Sequence, residues 1–305
     1  MPGTLTSPYR GQILTLTRGS LTAEITSVGA TLNRLVLEGR DLIVPGPLDE
    51  PMIGYRGAII APWPNRLGDG VYTAHGERFE LPLNEHARRT ALHGLVSFQD
   101  FTVSEVSADA ATLTHRLVPT PGYPFPLEIE VRYALEEAGL VTTVRATNVG
   151  AHAAPYGVCP HPYLVAGPEP LDEWRVHVDA ASVLEVDDRL LPVGTRPLTE
   201  HPELALDGAP LGARRLDHAY TDLSTGTVRL EAPGGTWVAL DFDAAALPWV
   251  QVHTGDHENP EYHRRGLAVE PMTCPPDAFR SGVDLAWIAP GEHHEATWRL
   301  EGGAA

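Results

Sequence analysis

The chain has 305 residues, 43% hydrophobic and 20% charged, a globular balance outside the regime of disordered chains. Aspartate and glutamate outnumber lysine and arginine by 40 to 22, and the net charge of −18 repels phosphate backbones and anionic membranes, so neither nucleic acid nor a membrane is an expected partner. Cys159 and Cys274 are too few for a disulfide framework and form no CxxC pair, Met1 to Ser7 lacks the basic and apolar parts of a signal peptide, and no later run spans a membrane, so the expected location is cytoplasmic.

In chain order the sequence reads as strands. Its 29 glycines and 28 prolines leave short segments between breaks, and these alternate rather than recurring at three and four residues. The clearest is Leu127, Ile129, Val131, Tyr133 and Leu135, interleaved with Glu128, Glu130 and Arg132, which predicts a half-buried strand. Leu140 to Thr147 follows the Glu136-Glu137-Ala138-Gly139 break and predicts the second arm of a hairpin. Further alternating runs are Trp174/Val176/Val178, Val228/Leu230, Val238/Leu240/Phe242 and Trp298/Leu300. The one helical stretch of note, Thr199 to Leu206, is limited to a turn or two by Pro197 and Pro202. No repeat period and no low-complexity linker divides the chain. The expected organisation is therefore all-β, an antiparallel two-sheet sandwich over residues 1–305 as one domain.

Four stretches read as irregular and polar enough to carry a site: Ala61 to Gly70, Thr90 to Gly94, Pro155 to Leu164, and His253 to Ala278. Glu270 ends the short apolar run Leu267-Ala268-Val269, where a carboxylate must be paired, neutralised or functional. His161 lies between Pro160 and Pro162, which stiffen the backbone on both sides of it. Each has a structural alternative, a salt-bridged glutamate and a packed histidine. His253, His257, Glu261 and His263 invite a metal reading, but Gly255 and Pro260 argue against the helix on which such ligand pairs normally lie, and no metal is expected.

Five motifs, in one order, resemble the aldose 1-epimerase (galactose mutarotase) family over nearly the whole chain. Asn65-Arg66-Leu67 resembles the family's Asn-Arg-Ile segment, and the stretch from Gly68 to Asn84 resembles its hairpin leading to Leu92-His93-Gly94. His161-Pro162-Tyr163 is similar to its His-x-Tyr, Leu216-Asp217-His218-Ala219-Tyr220 to its Leu-Asp-x-x-Phe/Tyr, and Val269-Glu270-Pro271 to its Glu-Pro segment. Two departures concern the sugar more than the catalyst: Leu95 replaces a second glycine after Gly94, and Met272-Thr273-Cys274 follows the glutamate differently from many galactose enzymes.

The resemblance implies a galactose mutarotase-like supersandwich with a sugar in a cleft, Glu270 as general base and His161 as general acid. It further implies that Arg66, His93 and Asp217 contact the sugar. Asn65 joins that set, and Trp63 or Trp249 is expected to present an aromatic face to the sugar's C–H surface. Opening a pyranose needs one base at the C1 hydroxyl and one acid at the ring oxygen, so no cofactor is required. The two pKa values should lie on opposite sides of 7, the glutamate ionised and the histidine close to neutrality. Three other readings remain: a mutarotase for a phosphorylated or sulfonated hexose, with Arg88-Arg89 or Arg264-Arg265 as the anion contact; a non-catalytic sugar binder; and a glycoside hydrolase or lyase with Asp217 as the second carboxylate. The expected partner is a free aldohexose, and the expected assembly a monomer or homodimer.

Overall fold

A computed structural model of the chain describes residues 5–304. Nearly every element is a strand, and every paired ladder is antiparallel. A five-stranded sheet holds the N-terminal segment, with Leu5–Ser7, Gly11–Arg18, Leu21–Thr26, Thr31–Leu37 and Arg40–Asp41 in sequence order. A 13-stranded sheet holds most of the remainder. Its order is not sequential, because the C-terminal strand His293–Ala304 lies between Leu140–Asn148 and Thr236–Phe242 and joins the two halves of the chain.

The alternating run is the strand Leu127–Leu135, with its apolar residues buried and Glu128, Glu130 and Arg132 exposed. It pairs along its length with Leu140–Asn148, Val131 facing Val144, so the predicted hairpin forms. Its turn depends on Gly139, where φ is +155° and a Cβ would lie 2.1 Å from the Leu300 carbonyl. A second hairpin, Val71–Ala74 with Glu77–Glu80, turns through His75 and Gly76, both with positive φ, the geometry favoured in two-residue hairpin loops. Where one or two helical turns were expected, Leu198–Glu200 and Pro202–Leu204 are 3₁₀ turns, the second opening on Pro202. The one α-helical turn among the described residues, Ala278–Ser281, carried no sequence signal.

The four segments read as irregular are only partly so. Arg66–Gly68 pairs with Thr90–Leu92, Cys159–Pro160 with Ile59–Ile60, and Tyr163–Leu164 extends the large sheet beside Leu267–Met272. These strands are short, and most are buried on both faces, all six residues in the case of Leu267–Met272, so no alternation of apolar and polar residues marks them.

A continuous hydrophobic cluster runs from Leu14 in the small sheet to Leu300 in the large one. One polar contact pins the two sheets together inside it: the Tyr133 hydroxyl donates to the Ala30 carbonyl at 2.6 Å, with the ring 1% exposed. Burial pushes that phenol far above its ordinary pKa, so it stays a donor. Tyr133→Phe should therefore cost about 1–2 kcal/mol, because it leaves a buried carbonyl without its donor. Urea unfolding at unchanged m-value checks this, and an unaltered midpoint would show that the contact contributes nothing.

Candidate active site

Three neighbouring strands bring the acidic groups together. In register, Gln251 of Trp249–His253 faces Glu270 of Leu267–Met272, and Asp217, the first residue of Asp217–Glu231, faces His253. The histidines arrive on loops that are tied down. The His161 carbonyl accepts from Gly57 N–H at 2.8 Å, and Val269 N–H donates to Pro162 at 3.2 Å. His93 has φ of +61°, and its N–H donates to the Asn65 carbonyl at 2.9 Å. Gly94 lets that loop close, since a Cβ there would meet the Ala61 carbonyl at 2.1 Å.

At the centre, His161 Nε2 lies 3.3 Å from Glu270 Oε1. Both are buried, at 4% and 2% exposure. The thiol of Cys159 points at the other carboxylate oxygen from 3.9 Å, a weak donor. The His93 ring meets His161 edge-on at 5.0 Å, and Tyr55 packs on His93 at 4.6 Å. Tyr163 stacks on His161 at 5.4 Å.

Arg66 anchors the other side. Its Nε and Nη2 donate to Glu85 at 2.9 and 3.2 Å, and Nη2 also reaches Asp217 Oδ2 at 3.3 Å. Gln251 Nε2 holds Asp217 Oδ1 at 2.5 Å, so both oxygens of Asp217 are engaged. Burial alone would lower the Arg66 pKa, but Asp217 and Glu85 more than offset it and raise the value, fixing the guanidinium as a permanent cation. Asn65 serves this arginine: its Oδ1 accepts from the Arg66 backbone N–H at 2.9 Å and lies 3.5 Å from Nη1.

The structure thus gathers His161, Glu270 and His93 around one point, with Arg66, Asp217 and Asn65 in a linked network. Trp63 is a correction: it is 3% exposed, donates its indole N–H to the Ala91 carbonyl at 3.2 Å and packs on Phe279, which makes it a core residue. Trp249 is likewise buried, with its indole donating to Asp284 at 2.7 Å. The aromatic rings at the histidines are Tyr55 and Tyr163 instead. Tyr163 was legible in the His161-Pro162-Tyr163 motif, whereas Tyr55, Glu85 and Gln251 carried no signal beyond being polar or aromatic. The His253 to His263 stretch does not converge: His253 Nδ1 contacts the Leu216 carbonyl, and His263 Nδ1 contacts the His257 carbonyl.

The electrostatics also reverse an expectation. Burial raises the Glu270 carboxyl well above its ordinary pKa, with Asp217 adding to the rise and Arg66 opposing it. Burial likewise depresses His161, and His253 adds to that. Desolvation favours the neutral form of each group, so their proton affinities are displaced opposite to the expected order. At 3.3 Å the protonation of each group depends on that of the other.

The sequence profile of the aldose 1-epimerase family matches residues 12–301. The chain is 36% identical over 296 residues to YihR of Escherichia coli K12, described as uncharacterized, across 96% of this chain and 94% of that one. It is 27% identical over 320 residues to the galactose mutarotase of Mus musculus, covering 91% and 90% of the two chains. Two solved structures share the fold. A putative aldose 1-epimerase from Escherichia coli K12 superposes with TM-score 0.84 at 22% identity, covering 96% of this chain and 99% of that one. A GalM/aldose epimerase homologue from Caenorhabditis elegans superposes with TM-score 0.86 at 18% identity and the same coverage.

The pair's titration follows from its burial. His93 and His161 are depressed relative to the unfolded chain, so the stability they carry is present above the ordinary imidazole range, about pH 6.5, and is lost as pH falls toward their folded values. Glu270, raised, works the other way: its contribution is full below the ordinary carboxyl range and is lost as pH rises through its folded value. Imidazole ¹⁵N resonances of His161 should accordingly remain those of a neutral ring at about pH 6. A half-titration of His161 near pH 6.5 would contradict this account.

Proposed function

The chain belongs to the aldose 1-epimerase family, and on that premise we propose that it interconverts the α and β anomers of a free aldohexose by acid–base ring opening and reclosure. The observation that carries the reading is the 3.3 Å contact between His161 and Glu270, both buried, with His93 at the same point. An acid and a base within reach of one hemiacetal are the whole chemical requirement.

In the opening step Glu270 takes the proton of the C1 hydroxyl while His161 protonates the ring oxygen, and the C1–O5 bond breaks to leave the aldehyde. Rotation about C1–C2 presents the other carbonyl face. On closure the C5 hydroxyl adds to it, His161 recovers its proton and Glu270 returns the one it took. No proton is gained or lost over the cycle. This step starts from ionised Glu270 and protonated His161, the charged arrangement of the pair. The neutral arrangement has the same proton count, and the charged one is reached from it by one transfer across the contact, which desolvation and the negative charge of Asp217 oppose and the positive charge of Arg66 assists.

Arg66 and His93 are the groups assigned to the sugar's oxygens. Asp217 and Asn65 act on Arg66, and Asp217 also on Gln251, as positioning residues. With both oxygens bonded, Asp217 is a poor second carboxylate for glycoside hydrolysis. Retention of both Glu270 and His161 favours an enzyme over a silent sugar binder.

A neutral sugar fits three of the four expected arginines, which are engaged elsewhere, while Arg265 is exposed and has no ion pair among the described residues. Arg88 is tied to Glu85 at 3.0 Å, Arg89 to Asp69 at 3.3 Å, and Arg264 to Asp256 at 3.1 Å and to the Gly212 and Arg214 carbonyls. A second reading, an anionic hexose, is favoured by Arg56. Its guanidinium lies over the Tyr163 and Tyr262 rings at 5.2 and 5.4 Å and makes no ion pair among the described residues.

Glu270→Gln should keep the fold and lose about 10²–10⁴-fold in mutarotation rate, since an amide accepts no proton, and His161→Ala should lose a similar factor. Polarimetry of a freshly dissolved α-anomer measures both, and a wild-type rate in either variant would remove that residue from the mechanism. For the substrate, kcat/KM should be higher for glucose or galactose than for glucose 6-phosphate or 6-sulfo-6-deoxyglucose. A preference of about tenfold or more for either charged sugar would establish the second reading.

A further inference from the structure

Among the described residues, one group of three has the composition and spacing of a metal site. One nitrogen of His93, one of His161 and one oxygen of Glu270 lie within 4.8 Å of one another, and all three residues are buried. The His161–Glu270 separation of 3.3 Å is about what two ligands at ~2.0–2.2 Å from one zinc ion span in a tetrahedron. Two imidazoles and one carboxylate suit zinc, cobalt or nickel rather than magnesium or calcium, which prefer oxygen ligands throughout.

We propose that His93, His161 and Glu270 form a binding site for an exchangeable divalent transition ion, zinc above all, and that the ion shuts the site instead of assisting it. Exchangeability follows from what surrounds the ligands. A resident metal's histidines almost always have their second nitrogen held by an acceptor. His161, which faces Glu270 through Nε2, has no hydrogen-bond partner at Nδ1 among the described residues. An ion held this way has little outer support and should leave readily to a chelator. Inhibition follows because the ion occupies the lone pairs that acid–base chemistry needs. That second part rests on the mutarotase reading, while the ion site itself does not.

The test is a titration of metal-free protein with Co²⁺, followed by its visible d–d absorption, with Zn²⁺ added to displace it. One ion per chain is expected. Glu270→Gln and His93→Ala, each confirmed folded by circular dichroism, should weaken binding by at least about tenfold. The double variant His257→Ala/His263→Ala, in the loop that does not converge, should bind as wild type. Zn²⁺ should inhibit mutarotation by the wild type, a saturating sugar should weaken its binding, and chelation should restore full activity. Absence of Co²⁺ binding, unchanged affinity in both ligand variants, or loss of binding in the loop variant would overturn the site. If Co²⁺ binds as expected but no sugar competes, the ion site stands and the inhibitory role falls. Loss of activity on chelation, recovered on adding zinc, would overturn the proposed direction of the effect.

Discussion

The structure turns on taking His161 and Glu270 out of water while keeping them in contact. A buried carboxylate and a buried imidazolium are each costly alone, and desolvation drives both toward their neutral forms. Held 3.3 Å apart, they need only one proton between them, and either placement of it is tolerable. The rest of the local architecture holds two groups from distant parts of the chain at that distance. Glu270 comes from a strand buried on both faces and His161 from a segment between two prolines. The segment's next strand, Tyr163–Leu164, is hydrogen-bonded to the strand of Glu270. A rigid connection between the proposed acid and the proposed base thus runs through the sheet's own ladder.

Arg66 is the electrostatic counterweight. A cation this deep would be unfavourable without anions, and it has two, Glu85 in a two-point contact and Asp217 in a single one. Glu85 is itself held low by Arg66 and Thr90 despite its burial, so the pair is locked in its charged form. The consequence at the centre is graded. Asp217 raises Glu270 and Arg66 lowers it, so two fixed charges that neutralise each other act on the carboxyl in opposite senses. Asp217 is in turn steadied by Gln251, which faces Glu270 in register. Through this chain of contacts the orientation of the guanidinium is coupled to the strand that carries the proposed base.

Much of the fold was legible because half-buried strands announce themselves. Leu127–Leu135 was readable from alternation and its partner from the Gly139 break and its β-branched residues, and the hairpin at His75-Gly76 fell within the stretch that the resemblance expected to contain one. The strands that build the site were not, because segments such as Cys159–Pro160 and Leu267–Met272 are apolar on both faces and too short to show a period. Glu270 and His161 stood out locally, as a carboxylate ending an apolar run and a histidine between two prolines, but their grouping with Arg66, His93 and Asp217 came only from the resemblance, since a single polar residue carries no information on which distant residue it will meet. Trp63 shows the limit of that route. It lies within a family-like motif, yet its position was guessed from aromatic chemistry, and the core beside Phe279 claims it. Glu85 and Gln251 matter through contacts across 19 and 34 residues of sequence, which no local pattern encodes.

The features that would suit this cluster to moving protons are those that would suit it to binding a metal ion. A base for a sugar hydroxyl needs an accessible lone pair, and so does a ligand for zinc. Families that use metal separate the two roles by supporting each ligand from behind with a carboxylate or carbonyl, which raises ligand basicity and fixes the tautomer. Here no such support reaches His161 Nδ1 among the described residues. A ring free at Nδ1 gives up fixed orientation, and His161 recovers it by packing between His93 and Tyr163 instead of by hydrogen bonding. Such packing orients the ring without fixing its tautomer. In the proposed reaction the proton moves at Nε2, and the same lack of an acceptor behind the ring is what would leave a bound metal exchangeable.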